Sequence, residues 1–98
     1  MAKVIWNRRA LSDLLRIYDY IAQDSAFYAR YETEALYRSS ERLEHFPELG
    51  RRLPDFPHLP HRELLVGNYR LIYRFNSKSH AVYIVAIVHG KRVKFNLP

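Results

Sequence analysis

The feature that most constrains this fold is a change of hydrophobic period near the middle of the chain. Before residue 46 the apolar side chains recur every three or four positions, as on one face of a helix. After residue 60 they alternate or form short runs, as in β-strands. The intervening residues 46–60 hold four of the five prolines. A chain of 98 residues with this pattern predicts one α+β domain, spanning residues 1–98.

Two helices are predicted in the first part, after a short strand at residues 3–6. The first helix covers residues 8–24, behind an N-cap at Asn7. The second covers residues 26–45, and Ser25 can cap it. Because the break between them is short, we expect an antiparallel hairpin. The expected buried stripes are Ala10, Leu14, Ile17 and Ile21 in the first helix, and Ala29, Leu36, Ser40 and Leu43 in the second.

Three strands are predicted after the proline-rich stretch, at His61–Val66, Tyr69–Phe75 and Ala81–Val88. Short links at residues 67–68 and 76–79 favour antiparallel pairing. The last strand is apolar on both faces, so we expect both faces to be covered for part of its length. The order is therefore β-α-α-β-β-β, a helical hairpin packed on a small, mainly antiparallel sheet. The proline-rich loop itself is expected to contain no long helix or strand.

Positive charge is concentrated in the second half of the chain. Residues 1–50 carry seven Lys or Arg and eight Asp or Glu. Residues 51–98 carry nine Lys or Arg but only two Asp or Glu. The second half therefore accounts for the whole net charge of +6. Such an imbalance predicts a basic surface for nucleic acid or for an acidic protein segment. The alternative is that the charge only keeps the protein in solution.

Several functional classes lack the residues that they need. There is no cysteine, which excludes a disulfide framework and a cysteine nucleophile. The longest apolar run, Ala81–Val88, falls far short of the ~20 residues of a membrane helix. With no signal-peptide core at the N-terminus, we expect a cytoplasmic protein without membrane association. His58 and His61 lack an obvious third ligand, so we predict no metal and no other cofactor.

Five short segments occur in an order that carries functional information. They are Asp19-Tyr20-Ile21-Ala22, Phe46-Pro47-Glu48-Leu49-Gly50-Arg51, Arg62-Glu63-Leu64, Tyr69-Arg70-Leu71-Ile72-Tyr73-Arg74 and Val88-His89-Gly90-Lys91-Arg92. Together they resemble the ParE/RelE superfamily of type II toxins, and the resemblance covers essentially the whole chain. It implies a toxin that a cognate antitoxin holds inactive in a hetero-oligomer. It also implies one of two activities: ParE-like members poison DNA gyrase, and RelE-like members cut mRNA on the ribosome.

The ending at residues 88–92 and the loop at residues 46–51 look more like the ParE branch. The resemblance therefore implies growth inhibition by binding a target such as DNA gyrase, without catalysis by the toxin itself. Two alternatives stay open. One is a ribosome-dependent endoribonuclease, and the other is a relative without toxicity that only binds an antitoxin.

Six basic residues are candidates for binding an antitoxin, a target or a phosphate. Arg70 and Arg74 are four residues apart on a predicted strand, so they share a face about 13 Å apart at ~3.3 Å per residue. The alternative is that these two arginines cover the sheet or pair with a nearby acid such as Glu63. The full set is Arg51, Arg52, Arg70, Arg74, Lys91 and Arg92.

An overlapping set would serve RNA cleavage, the alternative activity. Cleavage through the 2′-hydroxyl needs a base, an acid for the leaving oxygen and cations at the phosphate. The resemblance places Arg70 where nuclease members carry a phosphate-binding arginine, but Phe95 stands where a hydroxyl would be useful. His89 has the further alternative of packing against the helices as a strand-terminal residue. The set comprises Glu63 or His89 as base, His89 as acid, and Arg70 with Arg92 as the clamp.

Overall fold

The structure, a computed structural model, describes residues 1–90 and confirms the predicted α+β architecture. The second helix ends earlier than predicted, because its last turn, Arg42–Glu44, is a 3-10 helix. The elements of the described part are β1 (Lys3–Trp6), α1 (Arg8–Ala22), α2 (Ala26–Glu41), β2 (Arg51–Arg52), β3 (Arg62–Val66), β4 (Tyr69–Asn76) and β5 (Ala81–His89).

Both predicted N-caps are present, and they fix where the helices begin. Asn7 Oδ1 accepts a hydrogen bond from the Ala10 amide at 2.9 Å. Ser25 Oγ accepts one from the Tyr28 amide at 3.1 Å. Each cap satisfies a donor that has no partner within its helix. The predicted stripe of α2 is also confirmed, since Ala29, Leu36, Ser40 and Leu43 are all buried.

The five strands form one mixed sheet in the order β1-β5-β4-β3-β2. Strand β1 is parallel to β5, and the other pairs are antiparallel. The two-residue strand β2 lies within the predicted loop and pairs with β3. Gly50 permits this approach, because a Cβ atom there would lie 2.6 Å from the Glu63 carbonyl oxygen. The loop therefore supplies a short edge strand that proline content alone did not indicate.

A β-bulge divides the pairing of β4 with β5. Ile72 pairs with Ala86, whereas the next residue, Tyr73, pairs with Ile84. Val85 is thus the extra residue, and Val85 and Ala86 both pack in the same small core with Ile72. Strand β5 is apolar on both faces because a core covers each of them, as its sequence indicated, and the bulge places Val85 and Ala86 in the same one.

The sheet has two different faces, which we call the helix face and the back face. The helix face packs against α1 and α2 and carries most of the core, including Leu64, Leu71 and Tyr73. The back face carries a smaller core around Ile72, which Phe56 of the loop covers. Neither helix within residues 1–90 combines the length and the apolar composition required to cross a membrane.

Candidate functional site

A buried carboxylate lies at the centre of the basic half. Glu63 of β3 is 2% exposed and pairs with Ile72, a residue of the back-face core. Its Oε2 atom accepts hydrogen bonds from Arg51 Nε at 2.7 Å and from Arg70 Nη1 at 2.5 Å. No donor among residues 1–90 reaches Oε1. Two guanidinium groups thus share one carboxylate oxygen, and we call these three side chains the Glu63 cluster.

Strand register brings the Glu63 cluster together. Arg51 is the cross-strand partner of Glu63 in the β2–β3 pair. Arg70 lies two residues before Ile72, the partner of Glu63 on β4, and therefore points to the same face of the sheet. Burying an unpaired carboxylate costs several kcal/mol, so the two arginines are what makes its burial tolerable. The pairing of Arg70 with Glu63, which the sequence analysis gave as an alternative, is therefore present in the structure.

Arg70 also connects β4 with the end of β5. Its Nε donates to the carbonyl oxygen of Gly90 at 2.7 Å, and its side chain is only 12% exposed. The amide of Gly90 in turn donates to the Asn68 carbonyl oxygen at 3.2 Å. Arg70 is therefore ion-paired with Glu63, a carboxylate that it shares with Arg51, and its side chain is engaged at two acceptors.

His89 is exposed and lies between two shallow grooves. Its ring centroid is 5.2 Å from that of Tyr69. One groove, of about 400 Å³, runs along the β3–β4 turn and includes Arg70. The other, of about 380 Å³, lies between α1 and the end of β5. This second groove is lined by Asp13, Arg16, Ile17, Tyr20, Tyr69, Ile87 and His89.

Arg52 and Arg74, the other predicted basic residues that the structure describes, do not join the Glu63 cluster. Arg52 donates from Nη1 to the Leu59 carbonyl oxygen at 3.0 Å. The Arg74 guanidinium carbon lies 4.5 Å from the ring centroid of Tyr83, in a cation–π contact. Lys91 and Arg92 lie outside the described residues. The roles predicted for all of these side chains stay predictions.

Comparison with known proteins supplies the family. The model of the family described as "ParE toxin of type II toxin-antitoxin system, parDE" matches residues 4–94. The chain belongs to this ParE toxin family. A curated relative, Toxin RelE2 of Caulobacter vibrioides, is 37% identical over 93 residues, which are 95% of this chain and the whole of the relative. The resemblance read from the five segments is thereby confirmed at the level of a type II toxin.

Solved structures confirm the ParE/RelE fold. A chain of the "Chromosomal ParDE TA system from P. aeruginosa" superposes with a TM-score of 0.74 at 22% identity, covering 93% of this chain and 98% of that one. A chain of the "toxin-antitoxin complex RelBE2" of Mycobacterium tuberculosis superposes with a TM-score of 0.67 at 21% identity. The match covers 90% of this chain and 96% of that one. At such identities, the likeness concerns the fold alone.

Sequence reasoning missed a structural role of Asp13 in this ParE-family chain. Asp13 lies on α1 and is only 7% exposed. Its Oδ2 accepts a hydrogen bond from the Ile87 amide of β5 at 3.0 Å. Strand β1 pairs with β5 only as far as Ile84, so Asp13 satisfies a donor of β5 beyond the end of β1. The signal that could have revealed this buried acceptor is the position of Asp13, next to the apolar stripe of α1 and three residues after Ala10.

Tyr69, at the floor of the groove beside α1, was also not predicted as a site residue. Burial raises the pKa of Tyr69 above its usual 10.0, and the nearby Glu32 and Tyr20 raise it further. The phenol therefore stays protonated at neutral pH and can donate a hydrogen bond. Tyr69 and His89 together place one protonated hydroxyl and one imidazole at the end of the groove.

Within the part of the chain that the structure describes, no three His, Cys, Asp or Glu side chains lie close enough together to share a metal ion. The groups available at the Glu63 cluster and at His89 are a carboxylate, guanidinium groups, an imidazole and a phenol. Their chemistry is that of ion pairing, hydrogen bonding and proton transfer.

Proposed function

We propose that this chain is held inactive by a cognate antitoxin and inhibits growth by binding a protein target, with DNA gyrase as the leading candidate. The observation that carries the non-enzymatic part of the proposal is the Glu63 cluster. It engages two of the four residues that RNA cleavage would require, Glu63 and Arg70, in contacts with other parts of the same chain.

The burial of Glu63 argues against its use as a general base. A base must come within about 2.6–3.2 Å of the proton that it removes. Glu63 is 2% exposed, and Oε2 is already bound by Arg51 and Arg70. An RNA 2′-hydroxyl would have to displace both guanidinium groups to reach that atom. The geometry therefore supports a structural role for this carboxylate.

The contacts of Arg70 argue against its use as a phosphate clamp. A clamp stabilises a phosphate through positive charge and N–H groups that are not already engaged. Arg70 is ion-paired with Glu63, donates to Gly90 and is 12% exposed. A ParE-like activity, which needs no phosphate clamp on this chain, fits these contacts better.

The helical hairpin supports the antitoxin part of the proposal. Large apolar side chains stand exposed on the outer surfaces of α1 and α2, and contiguous exposed apolar surface marks protein–protein contact sites. Three of these side chains are the exposed tyrosines Tyr28, Tyr31 and Tyr37 of α2. One structural relative comes from a toxin–antitoxin complex, which agrees with such a partner. The exposed residues are Leu11, Leu15, Tyr20, Phe27, Tyr28, Tyr31 and Tyr37.

Ribosome-dependent RNA cleavage is the second candidate function, and one observation favours it. His89 is exposed, its ring lies 5.2 Å from that of Tyr69, and it shares a groove with Arg70, so an imidazole lies beside a guanidinium group. The name of the curated relative, Toxin RelE2, agrees with this candidate. In this version His89 rather than Glu63 transfers the protons.

Pulse-labelling of cells just after induction of this chain alone separates the two functions. We expect thymidine incorporation to fall first and cells to filament, because gyrase inhibition stops DNA synthesis. An early collapse of methionine incorporation would instead establish mRNA cleavage. If both rates stay normal, the chain is a binding module without toxicity, and the proposal fails.

Matched variants refine the same experiment. Arg70→Ala is expected to leave partial toxicity if the target is bound as a protein surface. If Arg70 stabilises a phosphate during cleavage, the same change lowers the cleavage rate by about 10²–10³-fold. Lys78→Gln, in the β4–β5 turn, removes one positive charge from an exposed position and serves as the control.

A further inference from the structure

The two arginines of β4 on the back face have different surroundings. Arg70 is ion-paired with the buried Glu63. Arg74, four residues further along, lies against Tyr83, with its guanidinium carbon 4.5 Å from the ring centroid. No ion pair in the described part of the chain includes Arg74. The charge of Arg70 is therefore used inside the chain, whereas that of Arg74 has no counter-charge among the described residues.

The contact with Tyr83 orients the Arg74 guanidinium group without using its hydrogen-bond donors. A cation–π contact is made with the face of the ring, so it engages no N–H group with an acceptor oxygen. Arg74 and Tyr83 are cross-strand partners in the β4–β5 pair, and both are half-buried. A planar guanidinium fork can bind a carboxylate with two hydrogen bonds. When the fork is oriented before binding, less conformational freedom is lost in the complex.

The surface around Arg74 combines apolar area with positive charge. Ile5 of β1 is the partner of Tyr83 on the other side of β5, so these two side chains and Arg74 form one row across the back face. Lys3, two residues before Ile5, points to the same face and is exposed. The single carboxylate of the described strands, that of Glu63, is buried between its own arginines. We call Lys3, Ile5, Arg74 and Tyr83 the Arg74 patch.

The composition of the Arg74 patch favours an acidic protein segment over a nucleic acid. A single-stranded nucleic acid is bound by a groove of many cations and by aromatic rings on which its bases stack. The patch has two cations, Lys3 and Arg74, and Arg74 itself lies over the ring of Tyr83. A protein segment requires what the patch provides, which is an oriented arginine for a carboxylate beside the apolar surface of Ile5 and Tyr83.

We propose that the Arg74 patch is the docking surface for an acidic segment of the protein target: Arg74, oriented by Tyr83, binds a carboxylate of that segment, and Ile5 contacts its apolar side chains. The inference deepens the proposed function and rests on it, since the target is taken to be a protein. All four residues belong to β1, β4 and β5, so the docking surface lies within the described fold. Arg70, which Glu63 already engages, is not part of it.

Binding of octaglutamate to the full chain, followed by NMR, tests the patch without any target. We expect the Arg74 Nε–H signal and the Ile5 amide signal to shift on titration. Arg74→Gln should weaken the binding at least about fivefold, because it removes the oriented guanidinium group. Lys78→Gln, which removes an equal charge from the adjacent exposed turn, should weaken it less than about twofold. Equal losses in the two variants, or shifts spread evenly over the basic residues, would overturn the proposal.

Two further variants separate the orientation of Arg74 from its charge. Arg74→Lys retains the charge but lacks the planar fork, so the affinity for octaglutamate should fall about threefold. Tyr83→Leu removes the ring that orients Arg74 and should have a similar effect. Combining the two changes should add little, because both remove the same oriented fork. Fully additive losses, or unweakened binding by Arg74→Lys, would overturn the proposal.

Oligouridine of equal length is the competing probe, titrated at the same salt concentration. We expect octaglutamate to shift the Arg74 and Ile5 signals at lower concentrations than oligouridine does, because the patch has no free aromatic ring for base stacking. The reverse order would overturn the proposal and assign the patch to a single-stranded nucleic acid.

Inhibition of purified DNA gyrase in a supercoiling assay connects the patch with the target. Arg74→Gln should require about tenfold more protein for half-inhibition, because a central arginine of an interface carries much of its binding energy. Lys78→Gln should match the unaltered chain. Equal inhibition by Arg74→Gln and the unaltered chain would overturn the role of the patch at the target. If the unaltered chain leaves gyrase active, it is the gyrase target that fails, and the octaglutamate titration still decides whether the patch binds an acidic segment.

Discussion

The two faces of the sheet are stabilised in different ways. On the helix face, apolar side chains such as Leu71 and Val82 are fully buried against the two helices. On the back face, a small apolar core under Phe56 lies next to the buried ion pairs of Glu63. The stability of the helix face depends on side-chain shape and buried apolar area, whereas that of the back face also depends on a few specific polar contacts.

This difference separates stability from function in the molecule. Apolar packing has no direction and tolerates exchange among residues of similar volume. An ion pair between buried groups fixes the orientation of its side chains, and removal of one partner lowers the stability of the fold. In this chain the directional contacts of Glu63 and Arg70 lie near the end of β5, on the back face, whereas most of the apolar contacts lie on the helix face. The helix face therefore supplies most of the apolar core, and the back face carries the directional contacts of the Glu63 cluster.

Two adjacent leucines of β3 provide the largest expected contrast between the faces. Leu64 is 8% exposed on the helix face, whereas Leu65 is 58% exposed. Leu64→Ala should lower the free energy of unfolding by about 3 kcal/mol, through lost apolar contacts and a cavity. Leu65→Ala should change it by less than about 0.5 kcal/mol. Urea unfolding of both variants measures the contrast, and equal losses would contradict the assignment of the faces.

Removal of the buried charge tests the back face. Glu63→Gln should lower the free energy of unfolding by about 2 kcal/mol, because Arg70 is left buried without a counter-charge. Half of the Arg51 side chain is exposed, so water compensates for its part of the loss. The control is Glu48→Gln, since Glu48 is exposed and lies 3.5 Å from Arg62. Urea unfolding should detect no loss of stability in the control. Similar losses in both variants would show that the buried position of Glu63 does not matter for stability.

Tyr73 links the two modes of stabilisation, since its buried ring packs on the helix face and its hydroxyl accepts from the Gly50 amide at 2.8 Å. Tyr73→Phe leaves that amide without its partner, so we expect a loss of about 1.5 kcal/mol in the free energy of unfolding at neutral pH. Thermal or urea unfolding at pH 7 measures the loss. A variant as stable as the unaltered chain would show that this hydrogen bond contributes nothing.

The same variant has a pH dependence of known sign. Burial raises the pKa of Tyr73, although the Gly50 hydrogen bond opposes this shift. The unfolded chain therefore ionises first, near pH 10, and the folded state loses stability as the pH rises from there. The unaltered chain should lose more stability between pH 8 and pH 10.5 than Tyr73→Phe does. A parallel decline in the two proteins would contradict the raised pKa.

The helices could be predicted from the sequence because their signals are local. The spacing of Leu36, Ser40 and Leu43 and the caps at Asn7 and Ser25 depend only on neighbours within one or two turns. A small serine on the buried stripe was predicted in its observed place. The strands after the loop were predicted for the same reason, since alternation along a strand is also local.

The bulge and the contact of Arg51 with Glu63 could not be predicted, and the pair of Arg70 with Glu63 was only one of two alternatives, because all three depend on register between distant segments. Whether Arg51 meets Glu63 is decided by the pairing of β2 with β3, and this pairing depends on the close approach at Gly50. The extra residue at Val85 follows from how β4 meets β5. The sequence named Glu63 and Arg70 as candidates, but only register decides whether they are free or paired.

The smallest expected effect concerns Asp13, at the junction of α1 and the end of β5. Asp13→Asn retains an oxygen that can accept from the Ile87 amide, so the free energy of unfolding should fall by less than about 1 kcal/mol. Asp13→Ala removes the acceptor and should cost about 2 kcal/mol, because a buried N–H group is left without a partner. The nearby Arg9 and Arg16 contribute little to the difference, since both ion pairs measure 3.7 Å and Arg16 is largely exposed. Urea unfolding at low and high salt checks this ranking. A loss in Asp13→Asn as large as that in Asp13→Ala, and removed by salt, would show that the charge of Asp13 matters more than its hydrogen bond to β5.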